Sequence, residues 1–244
     1  MMQITCRTAL AVGLTLSGLS LLNSCRSTGP DGATITRAEV LKTARTYTAL
    51  TWQGNKRHAL HGTAPDGQQI DTPDALTPAR NRKPGFWWKE GTNIGMPYKW
   101  GGFDTPQQFT ERLATERPVY AGDYASPAKV AGGDDAVCHY AAGIDCSGLV
   151  SRCWGLPRPY STRELPSICT PLSSLDKLRP GDIILRPGEH VQIFVRWEDD
   201  THTRYRAIEA AGDPEWRCFE ILYNRHTLTT TRGFTPWRYK GIRN

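Results

Sequence analysis

A chain of 244 residues, 39% hydrophobic and 22% charged, is long enough for a domain with a real core and too evenly composed to be disordered or fibrous. Its net charge of +6 suits an anionic partner, such as cell-wall polymer, lipid headgroups or nucleic acid, and equally an ordinary solvated basic surface. No Lys/Arg-rich run marks a nucleic-acid face, so nucleic acid is not an expected partner.

The first 25 residues differ in kind from the rest. Met1 to Arg7 carries a single positive charge, Thr8 to Leu22 is apolar and uncharged, and Leu22-Asn-Ser-Cys25 leads into an abruptly polar run. A basic start, a short apolar stretch and small residues at its end read as a secretory signal over 1–25. The stretch is too short and too rich in Gly and Ser for a membrane span. Cys25 at the cleavage point resembles a bacterial lipobox, in which the Cys carries lipid and becomes the new N-terminus. Ordinary cleavage and an uncleaved anchor are the alternatives. Residues 26–35, dominated by Gly, Pro, Ser and Thr, read as a tether. The expected location is the bacterial cell envelope, with membrane contact through lipid on Cys25.

Thr36-Arg-Ala-Glu39 is a capping-box pattern, and Val40, Ala44, Tyr47 and Leu50 recur at helical spacing. Together they predict a helix over 37–50. Residues 53–86 are polar and rich in Gly and Pro, which predicts a long surface loop. Residues 36–86 are thus expected to precede the main domain at 87–244. Phe86-Trp-Trp88 opens a denser region, followed by Tyr98-Lys-Trp-Gly-Gly102. Thr105-Pro-Gln-Gln108 starts a second helix with Pro at its first position, and Phe109 and Leu113 stack one turn apart. Residues 117–142 are rich in Gly, Ala and Asp and are expected to be irregular, within an insertion spanning 103–142.

Gly143-Ile-Asp-Cys-Ser-Gly-Leu-Val150 follows. Cys146, Leu149, Val150, Cys153 and Trp154 share one helical face, and Gly155 and Pro157 end the helix. After Pro180-Gly-Asp182 the pattern turns to strands: 183–185, 190–197, 205–210, 218–223 and 236–242. In the second of these, Val191, Ile193 and Val195 point one way, and His190, Gln192 and Phe194 the other. Helices first and an antiparallel sheet second predict the α+β class.

A nucleophilic Cys needs thiolate character, which a helix N-terminus favours and a nearby His supports. Cys146 stands where its helix begins, among small polar residues that suit access better than core packing. His190 starts a strand, and Glu209 lies on the next one, where a carboxylate can orient an imidazole and offset its charge. Backbone N–H groups of the helix start suit an oxyanion, and Ser147 beside Cys146 is a further oxyanion or substrate-binding candidate. Each residue alone has a bland alternative, Cys146 as a core thiol, His190 as an exposed strand end and Glu209 as a solvent-facing side chain.

If Cys6 leaves with the signal, Cys25 carries lipid and Cys146 stays free, Cys138, Cys153, Cys169 and Cys218 remain. Those four thiols admit two disulfides in three pairings, with buried single thiols the alternative for Cys153 and Cys169. No C-x-x-C pair is present, which argues against a zinc ribbon or a thioredoxin motif.

These residues resemble the NlpC family of bacterial cell-wall cysteine peptidases, a branch of the papain-like fold. The likeness runs from about Trp88 to Trp237. It is carried in order by Tyr98-Lys-Trp-Gly-Gly102, Asp145-Cys-Ser-Gly-Leu-Val150, Arg179-Pro-Gly-Asp182, Glu189-His-Val-Gln-Ile193 and Ala207-Ile-Glu-Ala210. The resemblance implies Cys146 as nucleophile, His190 as base, Glu209 as the third polar residue and Tyr98 near the oxyanion. It implies hydrolysis of amide bonds in peptidoglycan stem peptides, often between D-Glu and a diamino acid, with neither metal nor cofactor. A non-catalytic cell-wall-binding domain and an acyltransferase on the same scaffold are the alternatives. Two departures stand out. The third position is usually His, Asn or Gln, and the stretch from Gly102 to Cys146 is unusually long. Long insertions at a site rim are more often lids or groove walls than filler. Here the insertion is expected to select short or free peptides over intact wall.

Overall fold

The computed structural model describes residues 34–76, 88–212, 215–226 and 233–244. The expected signal at 1–25 with Cys25, most of the expected tether at 26–35, and Phe86-Trp87 lie outside these residues. The chain is α+β.

The order of elements begins with a short strand β1 (Ile35–Thr36), helix α1 (Arg37–Thr48), β2 (Thr51–Gly54), β3 (His61–Thr63), β4 (Gln69–Asp71) and β5 (Gly91–Ile94). Then come α2 (Pro106–Leu113), β6 (Tyr120–Ala121), α3 (Pro127–Gly132), β7 (Ala141–Ala142) and α4 (Cys146–Cys153). The C-terminal part holds β8 (Cys169–Pro171), β9 (Ile183–Arg186), β10 (His190–Trp197), β11 (Arg204–Ala211), β12 (Arg217–Asn224), β13 (Thr235–Tyr239) and β14 (Ile242–Arg243).

Helices α1 and α2 start where their capping boxes put them. The Thr36 hydroxyl accepts from the Glu39 N–H while the Glu39 carboxylate accepts from the Thr36 N–H, and Thr105 and Gln108 repeat the exchange. Helix α1 stops two residues short of the predicted end, with Ala49 as its C-cap.

The main sheet has six strands in the order β12-β11-β10-β9-β13-β8, each pair antiparallel. One face carries Val191, Ile193, Val195, Ile208 and Ala210, which pack with Leu149 and Val150 of α4 and with Val40, Ala44 and Tyr47 of α1. The other carries Ile184, Phe194, Tyr205 and Ala207, covered by Leu175, Leu178 and Phe234. The alternation expected within 190–197 is therefore real, but both faces are buried. Burying one large aliphatic side chain is worth about 1.5–3 kcal/mol, so these two layers dominate the stability of the sheet.

Three expectations change. Residues 53–76 are not a plain surface loop: β2 pairs with β5, β3 pairs with β4, and Ile70, Thr72 and Asp74 are buried. Backbone pairing and buried side chains, rather than hydrophobic periodicity, hold this region. The stretch 117–142 likewise contains β6, α3 and β7, with β6 and β7 paired in parallel. Finally, Cys138, Cys146, Cys153, Cys169 and Cys218 are all free and buried, so neither disulfide forms. Burial pushes the Cys153, Cys169 and Cys218 thiols up, so they behave as small apolar groups of the core.

Asp182 of the Pro-Gly-Asp turn shows how the layers are pinned together. It is fully buried, pairs with Arg37 of α1 at 3.0 Å and Arg238 of β13 at 2.7 Å, and accepts from the Arg179 N–H. A buried carboxylate satisfied on several sides ties the N-terminal helix to the far sheet.

Candidate active site

Cys146 is the first residue of α4, and Asp145 is the N-cap. The Asp145 carboxylate accepts from the Gly148 N–H at 2.6 Å and from the Ser147 hydroxyl at 3.0 Å. Burial pushes the Asp145 carboxyl up, while hydrogen bonds from Gly148 and Ser147 and the charge of Lys99 pull it down. The helix start is held against Tyr98-Lys-Trp-Gly-Gly102 by backbone contact. The Asp145 N–H donates to the Gly102 carbonyl at 3.2 Å, and a Cβ on Gly148 would lie 2.1 Å from that same oxygen. The two glycine motifs thus interlock, which is the physical reason they occur together.

His190 opens β10, its ring is hydrogen-bonded to Glu209, and Cys146 lies close enough for its charge to act on the ring. The Nε2–Oε2 distance to Glu209 is 2.6 Å, so Nε2 is the ring nitrogen that meets the carboxylate. Burial opposes a charge on this ring, but negative charge at Cys146 and Glu209 outweighs it and raises the pKa to about 10. The edge of Phe234 closes the ring in, at 6.4 Å between centroids.

Glu209 is only 1% exposed. In the sheet Ile193 faces Ile208, and continuing that register sets Gln192 opposite Glu209. His190 is then the diagonal neighbour of Glu209, within reach of long side chains. The other Glu209 oxygen accepts a hydrogen bond from Tyr223 on β12. Nothing in the sequence reading singled out Tyr223. Its signal was parity: Glu209 pairs with Phe219 and Tyr205 with Tyr223, so Tyr223 shares the face of Glu209.

Tyr98 is 6% exposed, and burial together with the nearby Cys146 charge pushes its phenol well up, so it stays a donor. Among the described residues its hydroxyl has no hydrogen-bond partner. The Cys146 N–H, the first of the helix, is likewise outside the backbone pairing. These two donors beside the sulfur suit an oxyanion. The Ser147 hydroxyl is committed to Asp145, so Ser147 serves the cap that presents Cys146.

The rim is aromatic. Trp216 packs edge-on to Tyr98, with centroids 5.8 Å apart, and against Tyr124 of the insertion at 3.8 Å. Trp216 has a φ of 49°, a left-handed conformation costly for a bulky residue and favoured at binding sites. No group of side chains suited to a metal ion occurs among the described residues. Cys25 lies outside them.

No family model, curated protein or solved structure matches this chain.

Proposed function

We propose that this chain is an exported cysteine peptidase of papain-like, NlpC type that hydrolyses amide bonds in peptidoglycan stem peptides or muropeptides derived from them. The observation that carries the reading is His190 bonded to a buried Glu209 at 2.6 Å, with Cys146 at the start of α4 near enough for its charge to act on the ring. The substrate class rests on the ordered motifs shared with cell-wall peptidases, and export rests on the apolar segment ending at Cys25.

The Cys146 thiolate attacks the amide carbonyl, and the carbonyl oxygen takes the negative charge against the Cys146 N–H and the Tyr98 hydroxyl. As the C–N bond breaks, the His190 imidazolium gives its proton to the departing amine, leaving a thioester on Cys146. Neutral His190 then takes a proton from water, whose oxygen adds to the thioester carbonyl. Collapse of that adduct breaks the C–S bond, releases the carboxylic acid and restores the thiolate–imidazolium pair. Glu209 stabilises the imidazolium and fixes its ring through both steps.

The test is incubation of the full chain, and of Cys146→Ala, with purified peptidoglycan and with free stem peptides, followed by mass spectrometry. New amine and carboxylate ends, absent with Cys146→Ala, are the expected result. Peptide-to-peptide adducts in their place would mark a transferase. Binding without any change in mass, under conditions where Cys146 is reduced, would mark a cell-wall-binding module and overturn the proposal.

A further inference from the structure

We infer that Tyr223 is a positioning residue of this site, holding Glu209 in the orientation that His190 uses. The inference rests on the reading of Cys146, His190 and Glu209 as a catalytic group.

Glu209 has two oxygens to satisfy and almost no contact with water. His190 Nε2 takes one and the Tyr223 hydroxyl takes the other. A carboxylate bound at one oxygen only is free to swing, and a buried acceptor left bare is costly. Tyr205, directly opposite Tyr223, cannot stand in, because its own hydroxyl donates to Gln192 Oε1 at 3.0 Å. Small Ala207, paired with Ile221, stands between the Tyr205–Tyr223 and Glu209–Phe219 pairs and leaves room for the Tyr223 ring to lean along the strand. The titratable groups facing the relay are Cys146 from α4, Tyr205 from β11 and Tyr223 from β12, and Phe234 on the flank is apolar. Tyr98 and Asp145 stand beside Cys146. Among the described residues, Tyr223 is the donor to the Glu209 oxygen that His190 does not use.

The experiment needs no substrate. The full chain is alkylated with iodoacetamide across the acid limb of Cys146 reactivity, and the Cys146 peptide is followed by mass spectrometry. Wild type, Tyr223→Phe, Glu209→Gln and the double variant are compared, with thermal melting as a folding control. Tyr223→Phe is expected to slow Cys146 alkylation about tenfold at a given acid pH, moving the limb up by about one pH unit. In the Glu209→Gln background it is expected to add nothing, since its effect passes through the carboxylate. An unchanged limb in Tyr223→Phe, or an equal effect with and without Glu209, overturns the inference. If Tyr223→Phe does not fold, 3-fluorotyrosine at 223 keeps the ring and alters only the donor, and an unmoved limb there overturns it equally. A wild-type Cys146 with no acid-limb reactivity instead sinks the thiolate–imidazolium reading itself, so the two failures are distinguishable.

Discussion

Replacing Glu209 by Gln keeps the shape of the side chain and removes its charge. The carboxylate meets His190 Nε2 at 2.6 Å from a site 1% exposed, so solvent screens the pair weakly. A hydrogen bond to a charged group is worth about 1.5–3 kcal/mol and a neutral one about 1, so the imidazolium loses about 1–2 kcal/mol. One pKa unit is about 1.4 kcal/mol, and His190 is expected to fall from about 10 by about one unit. Cys146 keeps it above the ordinary value. The sign for stability follows. A His raised from 6.5 to about 10 on folding stabilises fully below pH 6.5, and that contribution is lost as pH rises through 10. Glu209→Gln therefore destabilises at neutral pH, and the gap to wild type closes above about pH 10. NMR titration of labelled His190 reads the shift directly, and the alkaline limb of the pH–rate profile reads it through catalysis. A His190 titration identical in the two proteins would show that the carboxylate does not hold the ring.

Other outcomes are equally specific. Cys146→Ala is expected to abolish hydrolysis while leaving the melting temperature within a few degrees, and a variant that unfolds or keeps its activity marks a structural thiol. Gly148→Ala forces a Cβ to 2.1 Å from the Gly102 oxygen, so it is expected to cost about 1–3 kcal/mol and slow the reaction, read by denaturant unfolding and activity. A Gly148→Ala protein as stable and active as wild type contradicts the interlock. His61 is held by Asp71 and, at 2.7 Å, by Asp74, and its pKa is raised to about 9, chiefly by the hydrogen bond to Asp71. His61→Gln is expected to cost about 1–2 kcal/mol near pH 6 and little near pH 10, because the charged clasp is lost as pH rises through 9. Urea melts at the two pH values check this, and an equal loss at both denies the clasp. Cys25→Ser is expected to move the protein from the membrane to the soluble fraction, and a variant that stays with the membrane rules out lipid on Cys25 as the sole anchor.

What was legible in the sequence had local causes. The Thr36–Glu39 and Thr105–Gln108 caps need only a few residues, and both helices start there. Strand β10 announced itself by alternation, and Cys146 and His190 were visible because each opens an element. The partners of Glu209 were not, because they depend on register and on Ala207 leaving room for Tyr223, and no single strand carries that information. Helix α2 of the insertion was legible from its cap and from Phe109 and Leu113, which are buried in the core, but the stretch after it was not, because backbone bonds hold much of it. The Asp123 N–H donates to the Tyr98 carbonyl at 2.9 Å, the Trp100 N–H donates back to Asp123 at 3.1 Å, and Gly122 donates to Ala142 at 2.8 Å. The Asp123 carboxylate is buried against Lys129 at 2.6 Å, and the Tyr124 N–H donates to Asp71. A segment stitched this way to the backbone of Tyr98 and Trp100 is a fixed wall rather than a hinged lid. If the chain is the peptidase proposed above and prefers short or free peptides, that preference is expected to come from shape, through Tyr124 packed on Trp216 beside Tyr98. Cutting residues 106–140 would remove the Asp123 bonds that seat Tyr98, so the wall is better probed at Tyr124 than by deletion.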